Sequence, residues 1–312
     1  ADTINREFTG NLAFETTAFV EKYWRVVGNT GFNKTIYKIA DKLELAGFVL
    51  EENATEKSIL TYRIEKRALK KPTWESVAAT ILINNEEKPL LQHATNRNMI
   101  ALNSYSTPTE GITAEVVYVK DINKISKIDV QGKIVFAETS PNRIFKAAII
   151  DGKAAGLITY NNPDYLQPEK NTTSIQFRSI PLDSVNKPWA IATSYAAKER
   201  LKKSLSKGKV SLKVIVTTNI YPRKKLYCHF FVDIKGNKLP KERLVFSAHI
   251  QEPGANDNAT GVGVALEMAS LTAKFINKKE FQPKRTLTFL WGDEIISTRR
   301  YVQEDTIRAK DI

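Results

Sequence analysis

The sequence contains one cysteine, Cys228, in 312 residues. No internal disulfide can form, which by itself assigns no compartment, because an oxidising environment permits disulfides without requiring them. Long hydrophobic runs are missing too. No stretch approaches the ~18 uninterrupted apolar residues of a membrane-crossing helix, so no membrane span is expected. Histidine is scarce: His93, His229 and His249 are the three present, and any imidazole chemistry must draw on them. Acid is the minority sign, with 34 Asp and Glu against 47 Lys and Arg and a formal charge of +13. That excess would suit an anionic partner, but the bases are dispersed. Clusters such as Lys70-Lys71 and Arg223-Lys224-Lys225 are short, and no nucleic-acid-binding motif is present. The charge is read as a solvated surface, without a nucleic-acid partner.

What is present is enough for a core. The chain is 42% apolar and 26% charged, which indicates packing rather than disorder. Its length allows one large domain or two moderate ones. It opens at Ala1 without a signal-like apolar segment, which fits a mature chain whose leader has been removed, so a secreted or periplasmic location is expected. The sequon Asn258-Ala259-Thr260 lies where a glycan would obstruct the chemistry argued below, so a bacterial envelope fits better than a eukaryotic secretory route.

Hydrophobic periodicity outlines an α/β layout. Ile36, Ile39, Ala40 and Leu43 fall at helical spacing, Gly47 suits a C-terminal stop, and Phe48-Val49-Leu50 reads as the strand that follows. Trp74–Ile83 and Leu90-Leu91 read as scaffold. From about Gly111 short strands multiply: Val116–Val119, Ile134–Phe136 and Leu157–Tyr160, with a helix from Ile144 and another over Ser194–Leu205. Val210, Leu212, Val214 and Val216 alternate with period two, and Cys228–Ile234 forms a second strand, so the two are expected to pair like a hairpin. Leu244–Phe246, wholly apolar, is expected to be a central strand covered on both faces. Thr260–Phe275 reads as a helix and Arg285–Trp291 as the next strand, which completes a parallel βαβ unit.

Ligands in open parallel sheets bind beyond the C-terminal strand ends. His249 to Asp257 follows one such end and Asp293-Glu294 the next, so both should meet at one sheet edge. One histidine with several carboxylates suits a borderline metal such as zinc. Two adjacent acids after a buried strand are costly to desolvate without a cation, and a carboxylate left over could act as general base. The competing reading, a surface turn whose acids cap the following helix Ile295–Val302, remains open at this point.

The segment "FSAHIQEPGANDNATGVGVALEMAS" followed by "RTLTFLWGDEI" resembles the co-catalytic dizinc aminopeptidases with an inserted protease-associated domain. That family includes aminopeptidase Y, bacterial leucyl aminopeptidases and plasma glutamate carboxypeptidase. The resemblance implies a three-layer α/β sandwich with a mostly parallel central sheet, its C-terminal part apparently missing. It implies the catalytic α/β domain in 1–110 and 209–312. It also implies an inserted, smaller, β-rich protease-associated domain over 111–208 that roofs the cleft, on the signatures "GKIV" and "GKAAGLITYNN". Carried over residue by residue, His249, Asp257 and Glu294 correspond to metal ligands, Asp257 bridging two zinc ions. Asp293 corresponds to the general base, Gln251 and Asn258 support them, and the Asp257–Asn258 peptide is expected to be cis. The implied substrate is a peptide and the implied activity a metallo-aminopeptidase. An inactive receptor-like relative, a carboxypeptidase or a glutaminyl cyclase on the same fold are the alternatives.

Three departures from the family pattern stand out. Gln251 replaces the acid that orients and polarises the ligand histidine, so metal affinity is expected to be lower. Asp293 replaces the usual Glu, which draws the base back by about an ångström. The family's remaining ligands, an Asp and a His, lie downstream of the acidic pair, so the native polypeptide is expected to continue past Ile312. His93 and His229 are assigned to scaffold.

Overall fold

The computed structural model describes residues 6–84, 86–221 and 226–312; the cluster Arg223-Lys224-Lys225 lies outside the described residues. In chain order the strands are β1 (Val49–Leu50), β2 (Leu60–Ala68), β3 (Thr73–Ile83), β4 (Leu91–Gln92), β5 (Ile112–Tyr118), β6 (Ile134–Ala137), β7 (Gly156–Thr159), β8 (Ala190–Ala192), β9 (Ser211–Tyr221), β10 (Leu226–Ile234), β11 (Leu239–His249) and β12 (Arg285–Gly292). The helices used below are α1 (Asn11–Val20), α2 (Thr30–Leu45), α3 (Pro141–Phe145), α4 (Tyr195–Leu205), α5 (Thr260–Asn277) and α6 (Ile296–Gln303). The chain divides into two compact units, Ala1–Thr73 with Tyr221–Ile312, and Trp74–Ile220.

The first unit is built on a mixed sheet ordered β1-β2-β10-β12-β11. The pairs β1·β2 and β11·β12 run parallel, whereas β10 is antiparallel to both its neighbours. Strand alternation sorts side chains between the two faces. Phe230, Val232, Ile234, Phe289 and Trp291 join one core with Phe32, Ile36, Ile39 and Leu43 of α2 and Val262, Leu266 and Ala269 of α5. Phe231 and Leu290 point the other way and meet Tyr301 of α6. Helices therefore cover both faces, giving three layers. The α5 segment, as Ala255–Asn277, is the one described helical stretch long and apolar enough to cross a membrane, and its apolar side is buried in this core.

Helix α1 lies against α5 because Gly263 allows it: a Cβ there would stand 2.4 Å from the Ala13 carbonyl oxygen. The buried Glu267 of α5 accepts from the backbone N–H groups of Gly10 and Ala13, both at 2.7 Å. It thus supplies acceptors to the otherwise unsatisfied first turn of α1. Asn29 caps α2 by accepting from Phe32 N–H at 2.9 Å, and Gly47 takes the left-handed conformation that ends it (φ 98°).

The second unit carries a seven-stranded mixed sheet, β4-β3-β9-β5-β6-β7-β8. Parallel β5 to β8 and helices α3 and α4 occupy the Gly111–Gly208 block, and β3, β4 and β9 extend the same sheet outside it.

Two sequence expectations give way. Strands β9 and β10 do not pair, because they belong to different sheets; alternation shows that a strand has a buried face but names no partner. Strand β11 is the outermost strand of its sheet, not a central one, and Leu244 is 52% exposed.

Candidate active site

The parallel register of β11 and β12 sets the geometry. His249 pairs with Gly292, so the two strands end level and the residues after each leave the sheet side by side. The Ile250 N–H continues the ladder by donating to Gly292 O at 2.9 Å. A cleft of about 460 Å³ opens at this edge, lined by His249, Asn258, Asp293, Glu294, Ile295 and Arg299 among others.

The loop after β11 is held by a residue from far away in sequence. Arg25 is fully buried. Its Nε donates to Ile250 O at 2.6 Å and its terminal nitrogens to Val20 O, Tyr23 O and Gly254 O at 2.7, 2.8 and 3.1 Å. The Glu252 N–H adds a backbone bond to Arg25 O at 2.7 Å. The loop then turns back toward the strand end. The Asp257–Asn258 peptide is cis, as the resemblance implies. Asn258 Oδ1 accepts from Gly261 N–H at 3.1 Å, which caps the entry to α5.

That path brings His249 Nε2 to 3.0 Å from Asp257 Oδ1, with the histidine largely buried and the acid exposed. Glu252, which the motif analysis passes over, hydrogen-bonds Asp257. A bond between two carboxyls needs a proton between them. Burial, then the Asp257 charge, push Glu252 up to about 7. The signal for it was an acid three places after His249 in a loop crowded with polar residues.

On the β12 side, Gln251 Nε2 donates to Asp293 Oδ1 at 2.8 Å. This corrects the expected role of Gln251: it orients Asp293, not His249, whose Nδ1 is buried without a partner in the structure. Burial pushes Asp293 up to about 6, against the pull of Arg300 and of the Gln251 bond. Such a value lies near neutrality, as general-base work requires. The acids do not cap α6, because the Asp293 N–H donates to Ser297 Oγ at 2.7 Å and Ser297 N–H to the Asp293 carbonyl at 3.0 Å.

The donor chemistry fits zinc only in part. Two ligand atoms on one tetrahedral zinc stand roughly 3.3 Å apart, so the His249–Asp257 spacing of 3.0 Å suits neighbouring positions on one ion. Glu294 shares the cleft with His249, but among the described residues no three His, Cys, Asp or Glu side chains gather closely enough to hold a metal. Consecutive residues diverge here: Asp293 turns inward to Gln251 while Glu294 is exposed. His229 is buried on β10 and His93 is half-buried in the second unit, and desolvation is the main cause that lowers the pKa of each.

Residues 230–294 match peptidase family M28, a stretch that includes His249, Asp257, Asp293 and Glu294. No curated protein sequence matches the chain significantly. The fold is similar to an aminopeptidase from Aneurinibacillus sp. strain AM-1, at 19% identity and TM-score 0.54 over 99% of this chain and 69% of that one. It is also similar to a peptidase M28 precursor from Shewanella amazonensis SB2B, at 14% identity and TM-score 0.61 over 99% and 71%. BSAP, a zinc aminopeptidase from Bacillus subtilis, matches at 16% identity and TM-score 0.59 over 97% and 67%. At such identities the likeness is one of fold, and the chain spans about two thirds of each relative's length. The segment that matches the family carries both strand-end motifs, and the fold around it is similar to that of these peptidases.

Proposed function

We propose that the chain acts as a zinc-dependent exopeptidase and, more specifically, as an aminopeptidase that removes N-terminal residues from peptides. The observation that carries this reading is the His249–Asp257 contact, placed beside a half-buried Asp293 at one sheet edge. His249, Asp257 and Glu294 would hold the metal, and two zinc ions are part of this reading. Bound there, zinc would polarise a carbonyl and acidify a water.

The chain's own residues divide the remaining work. Gln251 engages Oδ1 of Asp293, which leaves Oδ2 to take a proton. Arg25 fixes the loop that carries Asp257, and Asn258 ties that loop to the start of α5. Residues 111–208, within the second unit, are proposed to be a protease-associated domain, and a secreted or periplasmic location is part of the same reading. A second reading, a binding module without turnover, is favoured by one observation: among the described residues only two candidate ligands touch.

The test combines metal analysis with three substrates. Zinc content is measured on the purified chain. Hydrolysis is followed on leucine p-nitroanilide, its N-acetylated form, and a peptide with a blocked N-terminus and a free C-terminus. Turnover that needs the free amine supports the aminopeptidase. Release from the blocked peptide points to a carboxypeptidase. Bound zinc without turnover of any substrate supports the binding module.

A further inference from the structure

The sequence reading leaves His229 in the scaffold, but the structure connects it to the candidate base. His229 lies on β10, on the α6 face, stacked beside Phe231. It is 1% exposed. Its Nδ1 is 2.7 Å from Ser297 Oγ, itself buried in the first turn of α6. The same oxygen accepts the Asp293 N–H at 2.7 Å. A continuous chain of hydrogen bonds therefore runs from a core strand to the backbone of the residue assigned as base.

The proton positions follow from the partners. Ser297 Oγ accepts from Asp293, and in the inferred arrangement it donates its own hydroxyl proton to His229 Nδ1. That requires a neutral imidazole protonated at Nε2. Burial, reinforced by Arg300 and Arg67, lowers the His229 pKa to about 4, so the ring is neutral at ordinary pH. Space has been left for the pair as well. A Cβ on Gly292 would stand 2.3 Å from Ser297 Oγ and 3.2 Å from His229 Nδ1. The glycine before Asp293 thus makes room for the two side chains that hold it.

We propose that His229 and Ser297 are positioning residues that fix the Asp293 backbone through the bonds His229 Nδ1···Ser297 Oγ···Asp293 N. The inference rests on the peptidase reading for its consequence, since only a base gains from being held in place. Gln251 sets the carboxylate from one side and Ser297 sets the main chain from the other. Misplacement of a reacting group by about an ångström can cost ~100-fold.

The test uses the full chain and two independent readouts. In ¹⁵N-histidine NMR spectra near neutral pH, the His229 ring should show Nε2 protonated and Nδ1 unprotonated. Amide exchange at Asp293 should accelerate at least tenfold in Ser297→Ala. A ring protonated at Nδ1, or unchanged exchange, overturns the proposal whether or not the protein turns over substrate. In the hydrolysis assay, Ser297→Ala and His229→Leu should lower kcat roughly 10- to 100-fold with KM within twofold. His229→Asn, whose amide oxygen replaces the Nδ1 acceptor, should stay within about threefold of wild type. Equal loss in His229→Asn and His229→Leu, or a loss carried by KM, also overturns it. Absence of turnover in wild type with the NMR signature intact counts against the peptidase reading, while the hydrogen-bonded chain stands.

Discussion

The long loop that follows β11 and the short turn that follows β12 reach the same cleft by different means. The first carries an exposed acid, Asp257, on a path fixed by a buried arginine from the N-terminal segment. The second carries a half-buried acid, Asp293, fixed by its own helix and a neighbouring strand. The difference follows from what each acid is proposed to do. A metal ligand must be open to an incoming ion, and Asp257 is exposed. A base gains from a proton affinity near neutrality, which burial supplies to Asp293.

The largest effect that could break this division is chemical. Asp293→Asn keeps the shape and removes the base, and hydrolysis of leucine p-nitroanilide should fall by ~10²–10⁴ with little change in thermal midpoint. An unaffected rate would assign the proton transfer elsewhere, with Glu252 the next candidate.

Next comes the long-range anchor. Arg25→Met removes the side-chain donor to four backbone carbonyls, two of them in the loop after β11, and urea unfolding should show a loss of about 3 kcal/mol. A loss under 1 kcal/mol would mean that the loop after β11 holds itself.

The third test concerns the local anchor and pH. The folded state lowers His229 from the usual 6.5 to about 4, with Arg300 and Arg67 opposing the proton and Glu65 and Glu304 favouring it. The unfolded chain binds a proton at higher pH than the folded one. Stability from this group is therefore present above pH 6.5 and is lost as pH falls through 4, by about 3 kcal/mol at full extent. Glu252 and Asp293, shifted upward, contribute with the opposite sign, so the measurement is the difference in stability slope between wild type and His229→Asn. Identical slopes would remove His229 from the account.

The smallest effect belongs to the link between the two sides. Ser247 Oγ and Thr298 Oγ1 lie 2.9 Å apart on the exposed rim. Thr298→Val should cost less than ~1 kcal/mol, because water replaces an exposed bond readily. A larger cost would make the two sides one cooperative element.

Much of the fold was legible in the sequence. The spacing of Ile36, Ile39, Ala40 and Leu43 gave α2, and Thr260–Phe275 with Arg285–Trp291 gave the parallel unit, because helix and strand periods are local properties. Partnership is not local. Nothing in Val210–Val216 or Cys228–Ile234 says that they join separate sheets, and the apolar run Leu244–Phe246 does not reveal its place at a sheet margin. In the site, His249, Asp257 and Asp293 were singled out by residue type and by their place after two strands, and the structure brings His249 and Asp257 together. Arg25 was invisible, since a buried arginine reads like any surface base until the carbonyls around it are known. Gln251 was seen, but assigned to the wrong neighbour, because its reach to Asp293 depends on the level ending of two strands.

The clamp of Arg25 on Ile250 also bears on the order of assembly during synthesis. The two residues are separated by 225 positions, and Glu267, which completes the first turn of α1, emerges later still. Helix α1 and the Arg25 side chain must therefore wait, undocked and with an apolar flank uncovered, until the segment through Glu267 has left the ribosome, so they are among the last parts of their unit to settle.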